Sequence, residues 1–255
     1  MPYSELVVGG ALAASIAVVV YGLGWLTRAG AGLGGAFGAH VILVGGWAWA
    51  LPLAVFVASG SLLARLDRST EKRVAAPRTA AQVLANGGVA WMALIALPYV
   101  ESTTAYLAFV GALATATADT WGTEVGTRWN TRAWSLATGQ WEQAGASGAV
   151  SGSGTAAGAL GASVIASLAA TVGPVSWSVA AWIAIAGVAG SASDSLLGAF
   201  VQAQYAHPGS NCLHDTPAVP SDSPVRGIRL LTNSGVNALA TCIGAGLAVA
   251  GRVFF

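Results

Sequence analysis

Long apolar runs, repeated along the whole chain, constrain this fold most. Leu6–Leu26, Gln82–Pro98, Thr104–Thr120, Ala149–Val172, Trp177–Phe200 and Ser234–Val253 each carry few or no charges. A run of about 20 apolar residues is the length that crosses a bilayer as a helix. A backbone in hydrocarbon must satisfy its own hydrogen bonds, so such runs become helices. Between Leu33 and Leu63 the apolar stretch is too long for one helix. Gly45–Gly46 and Pro52 are the expected breaks, which brings the total to seven or eight spans. The first apolar run has no basic residue before it and reads as a retained span, not a cleaved signal peptide.

Composition agrees. Only 8% of the residues are charged and 55% are hydrophobic, against about 25% charged in a soluble domain. There are 34 glycines, and small residues let helices approach closely where packing drives association. The reading is an all-α polytopic membrane protein, one integral membrane domain over residues 1–255, packed through Gly and Ala. The net charge of +1, with no basic tail, gives no sign of a nucleic-acid partner. Cys212 and Cys242 are too few for a disulfide framework or a zinc site.

The basic residues set an orientation. Arg65, Arg68, Lys72, Arg73 and Arg78 share one connection, Arg128 and Arg132 a second, and Arg226 and Arg229 a third, while Arg28 follows the first run. With eight spans and the N-terminus outside, all but Arg252 fall on one face. The positive-inside rule makes that face cytoplasmic, in the plasma (inner) membrane.

Four polar stripes interrupt the apolar pattern. Arg78, Gln82 and Asn86 fall four apart, as do Thr115, Asp119 and Thr123; Asp194, Gly198 and Gln202; and Arg229, Asn233 and Asn237. Residues four apart share a helix face. A carboxylate in hydrocarbon costs about 2.5–3.5 kcal/mol on insertion scales and by default marks a functional site. All four stripes lie at the face with the basic loops, so together they predict one polar pocket there. Asp119 and Glu124 are five apart; a helix ending at Gly122 would let both turn to one point. Paired carboxylates beside Thr hydroxyls suit Mg²⁺, a hard cation that prefers oxygen. Asp119, Glu124 and Asp194 are therefore the candidate metal ligands and catalytic carboxylates. Arg78 and Arg229 are the candidate phosphate forks, with Gln82, Asn86, Asn233 and Asn237 beside them. Asp119 has a bland alternative as a hydrogen-bonded helix tie, and the asparagines as helix bridges.

Gly145 and Gly148 belong to a Gly/Ser-rich connection, Thr127–Ser153, that leads into a helix. Such backbone offers N–H groups and a positive dipole end to an anion; the competing reading is a flexible linker. His207, Cys212, His214 and Asp215 match no metal pattern and read as a solvated loop. Ala114–Asp119 and Gly190–Asp194 repeat one motif, small residues running to a carboxylate. The inventory holds no placed covalent nucleophile, which points to phosphoryl transfer by positioning and charge neutralisation. The apolar bundle points to a lipid as the other substrate.

Five segments resemble the transmembrane protein 19-like family, which includes the plant phytyl-phosphate kinase. They are Arg78–Gly87, Ala118–Gly126, Gly145–Gly152, Gly190–Ala199 and Asn233–Asn237. They occur in the family's order within residues 78–239. The resemblance implies an isoprenoid-phosphate kinase. It would move a phosphate from a nucleoside triphosphate to a membrane-embedded isoprenyl monophosphate of the phytyl or geranylgeranyl type, giving the diphosphate. Carried over by position, Asp119, Glu124, Asp194, Asn233 and Asn237 form the polar core, with Arg78, Gln82 and Asn86 beside it. Two rival readings are a membrane cytidylyltransferase acting on a lipid phosphate and a secondary transporter with carboxylate ion sites.

Overall fold

The computed structural model describes residues 3–65, 76–209 and 213–254. It is mostly helical. The helices are α1 (Tyr3–Gly22), α2 (Arg28–His40), α3 (Trp47–Leu63), α4 (Ala80–Ile95), α5 (Ser102–Trp129), α6 (Gly152–Val172), α7 (Trp177–Phe200) and α8 (Asn233–Ala250). Three of them, α6, α7 and α8 with the short 3₁₀ turn after it, are long and apolar enough to cross a membrane. Val7–Gly22 of α1 and the whole of α3 and α4 are apolar but shorter. The Lys72 and Arg73 region and Cys212 lie outside the described residues.

The all-α expectation needs one correction. The Gly/Ser-rich connection is no linker. It folds into an antiparallel sheet in the order β2 (Trp141–Gln143), β1 (Arg132–Ser135), β3 (Ala149–Val150). A second pair, β4 (Tyr205–Ala206) with β5 (Leu213–His214), follows α7. Trp134 pairs with Trp141 across the first sheet, and the two rings meet edge to face at 5.6 Å.

The long Leu33–Leu63 stretch is indeed interrupted, at Gly46, whose φ of +68° suits glycine. A π-helical turn, Val41–Gly45, precedes it. Pro52 does not end the helix and sits inside α3; the Ala48 carbonyl, which its missing N–H would otherwise have bonded, accepts from the Tyr106 hydroxyl at 3.0 Å.

Helix α5 is the hub. It packs against α3, α4, α6, α7 and α8, and residues from Ala105 to Ala118 are almost all buried. Glycine on the neighbours makes this possible. A Cβ on Gly158 of α6 would lie 2.8 Å from the Ala118 carbonyl oxygen, and one on Gly190 of α7 2.4 Å from Thr115 Oγ1. Gly187 and Gly190 of α7 meet Ala114 and Thr115 in the same order, so α5 and α7 run parallel with Asp119 and Asp194 at the same end. Packing of this kind, not exclusion from water, holds helices together in lipid. At the far end an aromatic cluster closes the core: Trp49 meets Tyr106 edge to face and Phe109 at a tilt, and Phe37 stacks on Trp91. Such pairs contribute about 0.5–1.5 kcal/mol each beyond their burial.

Candidate functional site

A cavity of about 460 Å³ opens at one end of the bundle. Its walls are the start of α4, the last turns of α5 and α7, the starts of α6 and α8, and the β2–β3 turn. Helix starts present free N–H groups and a positive dipole end. Arg78, Gln82, Asn86, Asp119, Glu124, Asp194, Asn233, Asn237, Gly145 and Gly148 all line it.

The four stripes resolve differently. Arg78, Gln82 and Asn86 all reach the cavity. From the second stripe Thr115 does not: it is fully buried between Gly190 and Gly244, donating to the Gly111 carbonyl at 3.0 Å. From the third, only Asp194 does. Gly198 packs on Ser147, and Gln202 is buried. From the fourth, Arg229 does not, because α8 begins only at Asn233 and no helical spacing relates the two. The Arg229 guanidinium donates instead to the Pro220 carbonyl at 3.2 Å.

Asp119 and Glu124 do share the cavity, but not by the expected route. Helix α5 continues through Gly122 to Trp129. The cavity wraps around its end, so two carboxylates well apart on the helix both border it. Trp121 between them faces away and donates from Nε1 to Ser59 Oγ at 3.0 Å, tying α5 to α3.

Arg78 is the cation of the site. Its backbone is pinned on both sides: N–H to the Trp25 carbonyl and C=O from the Thr27 N–H, each 3.0 Å. Its guanidinium lies over Gly60, where a Cβ would stand 3.2 Å from Nη2. Among the described residues it forms no ion pair and no side-chain hydrogen bond. Burial lowers its pKa from the usual range; the charges of Glu124 and Asp119 work against that, and Arg65 adds to it. An arginine so placed stays charged, so it is a cation with donors to spare.

The amide groups are tied more firmly. The Asn237 amide stands 3.1 Å from that of Asn86. Turned so that its nitrogen faces the carboxylate, it donates to Asp194 Oδ2 at 3.1 Å and to the Asn233 carbonyl at 2.8 Å. This chain joins α4, α8 and α7 and fixes the Asp194 carboxylate. Gln82 is partly committed as well. With Thr79 it forms a capping box, Thr79 N–H donating to Oε1 at 2.9 Å and Gln82 N–H to Thr79 Oγ1 at 3.3 Å. The Thr-x-x-Gln spacing signals such a box.

On the opposite wall, Gly145 (φ +92°) and Gly148 (φ +77°) shape the β2–β3 turn. A Cβ on Gly148 would fall 2.4 Å from Ala199 Cα, so the turn sits directly on α7. The backbone N–H groups of Gly145, Ser147 and Gly148 donate to no other described backbone group. Ser151 caps α6 by accepting from the Gly154 N–H at 3.2 Å. Thr123, Ser147, Ser191 and Ser195 also line the cavity.

One lining carboxylate escaped the sequence reading. Asp215, placed there in a solvated loop, follows β5 and faces the cavity. Burial pushes its carboxyl up, with Gln202 and His214 pulling the other way. Beside it the His207 and His214 rings stack at 4.0 Å. Nothing in local spacing connects Asp215 to Asp194; only the turn-back after α7 does.

Among the described residues no three His, Cys, Asp or Glu side chains gather as one ion-binding group. The carboxylates instead border the cavity from α5, α7 and the β5 turn. That donor set fits a divalent cation that brings its own water or phosphate oxygens, as Mg²⁺ characteristically does.

Comparison with curated proteins and with solved structures finds no match. A family model does match, over residues 11–245. This polar cavity at the end of an apolar helical bundle therefore sits in a chain that belongs to the integral membrane protein DUF92 family.

Proposed function

We propose that this protein is an isoprenoid-phosphate kinase of the transmembrane protein 19-like type. It transfers the terminal phosphate of a nucleoside triphosphate to an isoprenyl monophosphate held in the membrane. The observation that carries this reading is the Arg78 guanidinium: without an ion pair or side-chain hydrogen bond among the described residues, lining the cavity, with the charges of Asp119 and Glu124 acting on it. A free fork beside acidic groups suits two phosphates and a bridging Mg²⁺.

In this reading seven or eight helices span the plasma (inner) membrane, and the cavity faces the cytoplasm, where nucleotide is supplied. The basic residues Arg65, Arg78, Arg128 and Arg132 cluster near the cavity end, whereas Arg252 pairs with Glu101 at the other.

Asp119 and Glu124 would hold Mg²⁺ with Asp194 near by, and the metal would neutralise charge on the donor phosphates. Arg78 binds the acceptor monophosphate at the mouth of α4. The N–H groups of the Gly145–Gly148 turn receive donor phosphate oxygens. An acceptor phosphate oxygen attacks the γ-phosphorus; that P–O bond forms as the bond to the β-bridging oxygen breaks, and nucleoside diphosphate leaves. The attacking group is already anionic near neutral pH, so no general base is required. Asn86 and Asn237 hold the Asp194 carboxylate in place.

The test is direct. Purified protein is incubated with geranylgeranyl or phytyl monophosphate, Mg²⁺ and each nucleoside triphosphate, and products are read by mass. An isoprenyl diphosphate with nucleoside diphosphate supports the reading. A cytidylylated lipid with released pyrophosphate makes the protein a cytidylyltransferase, and no product with any donor sinks both.

A further inference from the structure

The cavity is not open only toward the loops. On α6 it is lined by Thr155 and Ala159, and on α7 by Val188, Ala192 and Ser195. Thr155 and Ala192 are exposed: Ala192 shares its stripe with exposed Ile185 and Leu196, and Thr155 falls eight residues before exposed Ser163. A residue that both borders an internal cavity and belongs to an outer face marks a lateral opening.

The α6–α7 seam shows where that opening stops. One turn deeper the two helices touch: a Cβ on Gly187 would lie 3.1 Å from Ala162 Cβ, and Ile165 and Ile183 are fully buried. Toward the cavity end the residues that both helices turn to the cavity, Thr155, Ala159, Val188, Ala192 and Ser195, are small or short. A separate groove lies along α6, lined by Leu160, Ser163, Val164, Ser167, Leu168 and Thr171. At 1.5 Å per residue, Thr155 to Thr171 covers roughly 24 Å, most of the hydrocarbon thickness. Both α6 and α7 are among the helices apolar enough to cross a membrane, so in a bilayer this slot faces acyl chains.

We propose that the gap between α6 and α7 is a lateral portal for a single-chain amphiphile. The phosphate head lies in the cavity and the hydrocarbon chain leaves between Ala159 and Ala192 to lie along the α6 groove. The proposal rests on the kinase reading for the identity of the head group; the portal itself rests on the cavity and the exposed residues that line it. An occupant wholly soluble in water would need no opening on this side. The α6 groove is one track, and the seam is closed at Ala162–Gly187, which suits one chain.

Wild-type protein in phosphatidylcholine vesicles is irradiated with a long-chain alkyl monophosphate carrying a diazirine midway along its chain, and labelled peptides are mapped. Label within residues 155–171 and 188–196, removed by excess unlabelled alkyl monophosphate, supports the portal. Label confined to any other helix pair overturns it, whether or not the protein has kinase activity. Where activity is present, Ala192→Trp should raise the KM for geranylgeranyl monophosphate by at least about tenfold more than that for dimethylallyl monophosphate, since only the long chain crosses the gap. Equal effects on both substrates would overturn the portal and leave the kinase reading standing. Loss of all turnover in wild type would sink the kinase reading and leave the labelling result to decide the portal.

Discussion

At the residue scale, the site separates into side chains that are free and side chains that are occupied. The carboxylates of Asp119 and Glu124 have no described hydrogen-bond partner, and Arg78 none for its guanidinium, whereas the side chains of Asn86, Asn237 and Asp194 are bound to one another. In the proposed kinase the free groups are the ones left to touch substrate. Asp119→Asn keeps the shape and removes the charge, so turnover should fall by about 10²–10³-fold, the usual loss when one group stabilising developing charge is removed. The variant should still purify with wild-type circular dichroism and elution; a misfolded product would make Asp119 structural. Arg78→Lys keeps the charge and loses the planar fork. Acceptor KM should rise by the equivalent of about 1–3 kcal/mol, the range for hydrogen bonds to charged groups. Wild-type kinetics would reduce Arg78 to a topology marker, and a rise in donor KM alone would exchange the two phosphate subsites. These residues were legible because a polar group inside an apolar run is conspicuous. Arg229 misled because its four-residue spacing to Asn233 is helical in number only, and Asp215 was hidden because a loop has no period.

At the element scale, the small residues divide into those that bring helices together and those that do not. Gly158 lies so close to α5 that an added Cβ would stand only 2.8 Å from the Ala118 carbonyl oxygen, whereas Gly246 of α8 has nothing within 4 Å. Gly158→Val should therefore push α6 from α5 and cost about 1–3 kcal/mol, as overpacking does. Gly246→Ala fills open space and removes unfolded-state freedom, so it should be neutral or stabilising by up to about 1 kcal/mol. Thermal unfolding in detergent distinguishes the two, and equal melting temperatures would deny α5 its role as the packed hub. Helix positions were readable because apolar runs and helix length coincide. The β2–β1–β3 sheet was not, since strands of four, three and two residues are too short for alternation to emerge. Its Gly/Ser content looked like a linker, yet Gly145 and Gly148 are there for turns of positive φ.

At the scale of the whole molecule, the cavity has one end and the bundle two. The β1–β2 turn lies on the cavity side, and the α6–α7 connection lies at the other end of α6, roughly 32 Å away for 21 helical residues. That separation matches the hydrocarbon thickness of a bilayer, about 30 Å. Arginines gather at the cavity end, and the orientation rule reads such a bias as cytoplasmic. A nucleotide-dependent enzyme needs this polarity, because its donor is cytosolic. Gln140 and Pro174 are both exposed and make no side-chain contact the helices depend on, so each can carry a reporter. In a background with Cys212 and Cys242 replaced by serine, Gln140→Cys should resist a membrane-impermeant maleimide in intact cells and react once the membrane is opened. Pro174→Cys should react in intact cells without that step. The reverse pattern would turn the cavity away from the nucleotide pool and remove the kinase reading, whatever the chemistry of its lining. Reaction of both from one side would place residues 140 and 174 on the same face and show that α6 does not cross the bilayer.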